Sequence, residues 1–100
     1  LNAIYLQTDT KTGKLYVGSA YGKQKLWGRW TEYVETYHGG NKDLKELFEK
    51  EGARYFEENF TYTLLEVLPN DRKDIGNTVI GRESWWKIAL QTREFGYNCN

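Results

Sequence analysis

Apolar and polar positions alternate in two segments near the start of the chain, each with the two-residue period of a β-strand. Ile4 and Leu6 fall on one face of the first segment, and Leu15 and Val17 on one face of the second. Between them, Asp9-Thr10-Lys11-Thr12-Gly13 has turn chemistry, with Gly13 free to adopt positive φ. The pattern predicts a hairpin with strands over 3–8 and 14–19 and a turn over 9–13. Pairing Leu6 with Leu15 sets Ile4 opposite Val17 and Tyr5 opposite Tyr16. In that register an aliphatic face is buried and two phenols are presented together. A slip of one residue would undo both matches.

Further along, the spacing becomes helical. Helices are expected over about 25–37 and over 41–51. In the second, Asn41 suits the N-cap and Gly52 the stop, and Leu44, Leu47 and Phe48 share one face. Thr61-Tyr62-Thr63-Leu64-Leu65-Glu66-Val67 has strand composition, giving a strand over 60–67. Pro69-Asn70-Asp71 marks a loop over 68–75, and a last helix covers about 76–91 before a short tail. Three strands and three helices in this mixed order predict a single α+β domain over 1–100, built on a small, mainly antiparallel sheet.

Composition narrows the class. The chain of 100 residues is 39% hydrophobic and 16% aromatic, enough for a modest core. It contains no apolar run long enough to span a bilayer and no signal-peptide pattern. Cys99 is its one cysteine, so an intrachain disulfide is excluded and a reducing, cytoplasmic setting is expected. A start at Leu1 and an end at Asn100 read as a domain excised from a longer protein. Zero net charge argues against a strong general nucleic-acid binder. Basic residues nevertheless gather in the first third, where Lys11, Lys14, Lys23, Lys25 and Arg29 face only Asp9, whereas residues 31–60 are acidic. A phosphate-binding face is therefore expected from the first third.

The candidate chemistry lies in an ordered set: Ala3-Ile4-Tyr5, Tyr16-Val17-Gly18, Arg29, Glu83 within Gly81-Arg82-Glu83-Ser84-Trp85-Trp86, and Asn98. In order and spacing, over essentially the whole chain, this set resembles the GIY-YIG nuclease domain. The resemblance implies a three-stranded antiparallel sheet flanked by helices and a metal-dependent endonuclease acting on DNA. It also implies roles. Tyr16 takes the proton of the attacking water and Tyr5 orients that water. Arg29 holds the phosphate through paired N–H donors. Tyr33, one helical turn later, is a hydrogen-bond partner for water or phosphate. Glu83 holds Mg²⁺, or Mn²⁺ in its place, and Asn98 helps fix the pocket. Gly18, Lys23 and Lys25 are the expected substrate-contacting positions. A separate DNA-recognition domain is expected in the parent chain.

Some residues depart from the family pattern or read equally well another way. Ala3 stands where the name-giving glycine would be, and Val17 replaces isoleucine. Ser19 stands where some relatives carry a lysine that could acidify the tyrosine, a part left to Lys23 or Lys25. Taken alone, Tyr5 and Tyr16 also suit a cross-strand aromatic pair. His38 lies beyond the first expected helix, and Trp85 and Trp86 suit core or rim positions. Glu83, Trp86 and Leu90 share one helical stripe, which turns the carboxylate toward packed protein and calls for a charge partner. Two other functions remain open at this point: a nucleic-acid-binding module without turnover, and a protein-interaction domain using the acidic middle segment and exposed aromatics.

Overall fold

The computed structural model describes residues 2–21, 35–69 and 75–99. Its centre is a three-stranded antiparallel sheet in the order β2-β1-β3, formed by β1 (Asn2–Asp9), β2 (Leu15–Ala20) and β3 (Phe60–Leu68). Four helices are described: α1 (Lys42–Glu51), α2 (Ala53–Asn59), α3 (Ile75–Leu90) and α4 (Thr92–Phe95). The α+β class and the antiparallel sheet agree with the expectation, and none of the described helices is long and apolar enough to cross a membrane.

The hairpin register differs from the expected one. Leu6 pairs with Val17, Tyr5 with Gly18 and Gln7 with Tyr16, two residues away from the expected pairing. The loop is the cause. Gly13 N–H donates to the Asp9 carbonyl at 2.8 Å, and Asp9 N–H donates to the Lys14 carbonyl at 3.0 Å. Asp9 also accepts from Lys11 N–H through its own side chain. These bonds close the turn over 10–13. A shift of two residues preserves the face of every side chain. The aliphatic and phenolic faces are therefore as expected, but Tyr5 and Tyr16 are diagonal neighbours instead of a direct pair.

The two faces carry separate cores. Ile4, Val17 and Val79 form one, with Leu6, Leu65, Leu68, Trp86 and Leu90 packed against it, so α3 covers the aliphatic face. Tyr5 and Tyr16 belong to the other, with Leu44 of α1, Phe56 of α2, Phe60 and Tyr97. A bulge in β3 between the partners of Ile4 and Tyr5 brings Glu66 opposite Ile4, on the side of α3.

Local sequence accounts for the helix ends. Asn41 Oδ1 accepts from Leu44 N–H at 2.9 Å, and Gly52 at φ +83° ends α1 and opens α2. The turn α2 was not expected from sequence. It forms where Phe56 stacks on Phe60, ring centres 4.4 Å apart. Most of the helix expected over 25–37 lies outside the described residues. Its last described residues, Glu35 and Thr36, are helical, and the chain turns out at Tyr37 with φ +66°.

Candidate active site

The phenolic face is built around one close approach. Tyr5 is fully buried, and its ring lies across Gly18 of the neighbouring strand. A β-carbon at Gly18 would stand 2.5 Å from the Tyr5 hydroxyl oxygen and 2.6 Å from Cε2. Any larger residue would drive the ring away, so this glycine is set by the tyrosine it faces. Tyr16 shares the face and is 8% exposed.

The chain's C-terminal segment pins the backbone beside Tyr16. Among the described strands β2 lies at the sheet edge, where backbone groups would otherwise lack partners. Tyr97 N–H donates to the Leu15 carbonyl at 2.9 Å. Asn98 Oδ1 accepts from Val17 N–H at 2.8 Å, and its Nδ2 donates to the Val17 carbonyl at 2.9 Å. One carboxamide thus does what a neighbouring strand would do, on both sides of a single residue. The Asn98 side chain holds the strand that carries Tyr16.

A buried carboxylate anchors the same segment. Asp9 Oδ2 accepts the hydroxyls of Tyr55 and Tyr97, each at 2.6 Å. Burial alone would raise the Asp9 pKa, but the Tyr55 and Tyr97 hydroxyls, the Lys11 N–H and the Thr12 side chain together hold it below the usual carboxylate value. The phenols respond in the opposite sense. Burial and the Asp9 charge push Tyr55 up to about 12 and raise Tyr97 further. From sequence Asp9 is expected only as part of the turn over 9–13. The signal was present in the period of two, which sets Asp9 on the face of Tyr5 and Gln7.

Glu83 lies on α3, the helix that covers the aliphatic face of the sheet. It lies on the stripe Val79-Glu83-Trp86-Leu90 of α3, whose apolar members pack on the sheet. Its side chain is 19% exposed, and Lys87 Nζ stands 3.3 Å from Oε1. The charge partner is Lys87, one turn on, a spacing visible in the sequence. Arg82 points elsewhere: its Nε and Trp86 Nε1 both donate to Glu66 Oε1 at 2.7 Å. Burial would raise Glu66, and these donors outweigh it, lowering its pKa. Trp86 therefore packs inward, whereas Trp85 is half exposed beneath the Arg82 guanidinium.

Among the described residues no three His, Cys, Asp or Glu side chains cluster as a metal cage. A cation at Glu83 would have one protein carboxylate, with water and phosphate completing its shell. Mg²⁺ accepts that arrangement, so the residue fits the ion.

The structure thus gathers Tyr5, Tyr16, Gly18 and Asn98 into one unit of β1, β2 and the tail. Glu83 lies on α3, which packs on β2 and β1 from the aliphatic face. Arg29, Tyr33, Lys23 and Lys25 lie outside the described residues. His38 serves its own turn, Nδ1 accepting from Gly40 N–H at 2.9 Å.

No protein-family profile matches the chain. Among curated proteins it is similar to intron-associated endonuclease 1 of Enterobacteria phage T4, 32% identical over 97 residues. That alignment covers 97% of this chain and 36% of the relative, so the chain spans about a third of that protein's length. Two solved structures are also similar. One is the catalytic domain of the homing endonuclease I-TevI, with TM-score 0.69 and 31% identity, covering 100% of this chain and 99% of that one. The other is a mutant of the I-TevI catalytic domain, with TM-score 0.69 and 27% identity, covering 99% of this chain and 93% of that one.

Proposed function

This chain belongs to the GIY-YIG endonuclease family and is a nuclease domain, and from that premise we propose that it hydrolyses phosphodiester bonds of DNA with the help of one divalent metal ion. The observation that carries the proposal is the likeness to a homing-endonuclease catalytic domain over the full length of both chains.

The proposed reaction is an in-line displacement. A water gives a proton to the Tyr16 oxygen while its own oxygen bonds to phosphorus, and the opposite phosphorus–oxygen ester bond breaks. Tyr5, locked over Gly18, orients the water side of the pocket. Asn98 acts through the backbone, keeping the Tyr16 strand in place. Arg29 offsets charge on the phosphoryl oxygens, Tyr33 supports it by hydrogen bonding, and Gly18, Lys23 and Lys25 line the approach of the phosphate. A phenol ionises near pH 10 unless a positive group or a donor stabilises its anion, so these cations also serve Tyr16. Glu83 would hold Mg²⁺ or Mn²⁺, which when bound supplies charge stabilisation to the phosphoryl and leaving oxygens. Recognition of a particular DNA site belongs, in this reading, to a separate domain of the parent chain, in keeping with the third of the phage relative's length that this chain spans.

The test is plasmid nicking at low salt with Mg²⁺, Mn²⁺ or EDTA. Wild type is expected to nick only with metal, and folded Glu83→Ala and Arg29→Ala proteins are expected not to nick. An active, folded Glu83→Ala protein would refute the metal assignment. A folded wild type that binds DNA but gives no product with either metal would leave a binding module as the function.

A further inference from the structure

Gln7 lies in the central strand on the phenolic face. It is directly opposite Tyr16 on one side and Tyr62 on the other. It is fully buried, and neither its Oε1 nor its Nε2 meets a hydrogen-bond partner among the described residues. Nearly all buried polar groups in folded proteins have a partner, and one left without is destabilising. An apolar residue of the same shape would suit this position better for stability alone. Groups held against local stability gather where a reaction needs them.

The geometry gives the carboxamide a use. Residues directly opposite in an antiparallel pair have their β-carbons about 5 Å apart. A glutamine is shorter than a tyrosine, so its amide would meet the Tyr16 hydroxyl through one water or after a small shift of the side chain. The titratable groups on this face are Tyr5 and Asp9 of β1, Tyr62 of β3, Tyr37 and Tyr55 beside α1 and in α2, and Tyr97 of the tail. Asp9 is already engaged by Tyr55 and Tyr97, and the ammonium groups of Lys11 and Lys14 stand 5.6 Å from the centres of those two rings. Gln7 Nε2 is a buried donor on this face with no acceptor among the described residues.

We propose that Gln7 is a positioning residue for the nuclease reaction, its buried carboxamide donating, directly or through one water, to the Tyr16 oxygen when that oxygen carries the negative charge of the base. The inference rests on the reading of Tyr16 as general base. Loss of the donor makes the anion harder to form, raises the Tyr16 pKa and moves the acid limb of the pH–rate profile upward.

Gln7→Met keeps the side chain's length and removes its polar atoms. The variant is expected to melt at or above the wild-type temperature while nicking roughly 10- to 100-fold more slowly, the fold-change one hydrogen bond to a charged oxygen is worth. Its pH–rate profile should move up by about one unit. A tyrosine ring-carbon NMR titration reads the same coupling without substrate. The Tyr16 signal, identified by its loss in Tyr16→Phe, should titrate about one unit higher in Gln7→Met. A Tyr16 titration unmoved by Gln7→Met overturns the inference, as does wild-type nicking by that variant. If wild type fails to nick at all, the nuclease reading falls, and the NMR titration alone decides whether Gln7 acts on Tyr16.

Discussion

Replacing Asp9 by asparagine tests the anchor that ties the C-terminal segment to the sheet. The carboxylate is fully buried and accepts two phenol hydroxyls at 2.6 Å. A hydrogen bond to a charged group contributes about 1.5–3 kcal/mol and a neutral one about 1 kcal/mol. The asparagine oxygen can keep one phenol at neutral strength, and its amino group offers the other phenol no equivalent acceptor. One charged bond is lost and one is weakened, so Asp9→Asn should lose about 3 kcal/mol. In a domain of this size that lowers the melting temperature by roughly 12–24 °C. The loss depends on pH. The Asp9 pKa is depressed in the folded state. Its contribution is therefore complete above the unfolded carboxylate value of about 4 and disappears as pH falls through the folded value. Urea unfolding of both proteins near neutrality and at a series of acid pH values measures the difference, which should shrink as pH falls through the folded value. A loss below about 1 kcal/mol near neutrality, or a gap that stays the same in acid, would refute the anchor.

Gly18→Ala should destabilise the domain by about 1–3 kcal/mol, because its β-carbon enters the Tyr5 ring. Tyr5→Leu should relieve part of that loss, so a double-mutant cycle showing plain additivity would count against the contact. Asn98→Leu strips both hydrogen bonds from Val17. It should cost about 2–4 kcal/mol, estimated from leaving two backbone groups unpaired. It should also speed amide exchange at Val17; unchanged protection there would remove Asn98 from its proposed role. At alkaline pH the phenols matter. Tyr55 is raised to about 12 in the folded state. Its contribution is complete below the unfolded value of about 10 and is lost as pH rises through the folded one. Melting curves of wild type and Tyr55→Phe across that window should converge as pH rises; parallel curves would argue against the Tyr55–Asp9 bond.

Much of this molecule was legible along the chain because the relevant signals are local. The period of two placed Ile4, Leu6 and Val17 on one face and Tyr5 and Tyr16 on the other, and the structure keeps that division. Asn41 and Gly52 marked the ends of α1 because capping involves only neighbouring residues. The ordered set of tyrosines, glutamate and asparagine was enough to suggest the family. Hairpin register was not legible, because turn bonds at Asp9 and the space above Gly18 choose between pairings that hydrophobic alternation leaves equivalent. The Arg82–Glu66 pair was not legible either, because it depends on the β3 bulge that sets Glu66 on the side of α3. Asp9 and Tyr97 are 88 positions apart, and Asn98 and Val17 are 81. Periodicity reports only which way a side chain faces. What that side chain meets depends on how distant segments pack, and here that packing alone brought a tail asparagine to the strand of Tyr16 and left Gln7 buried beside it.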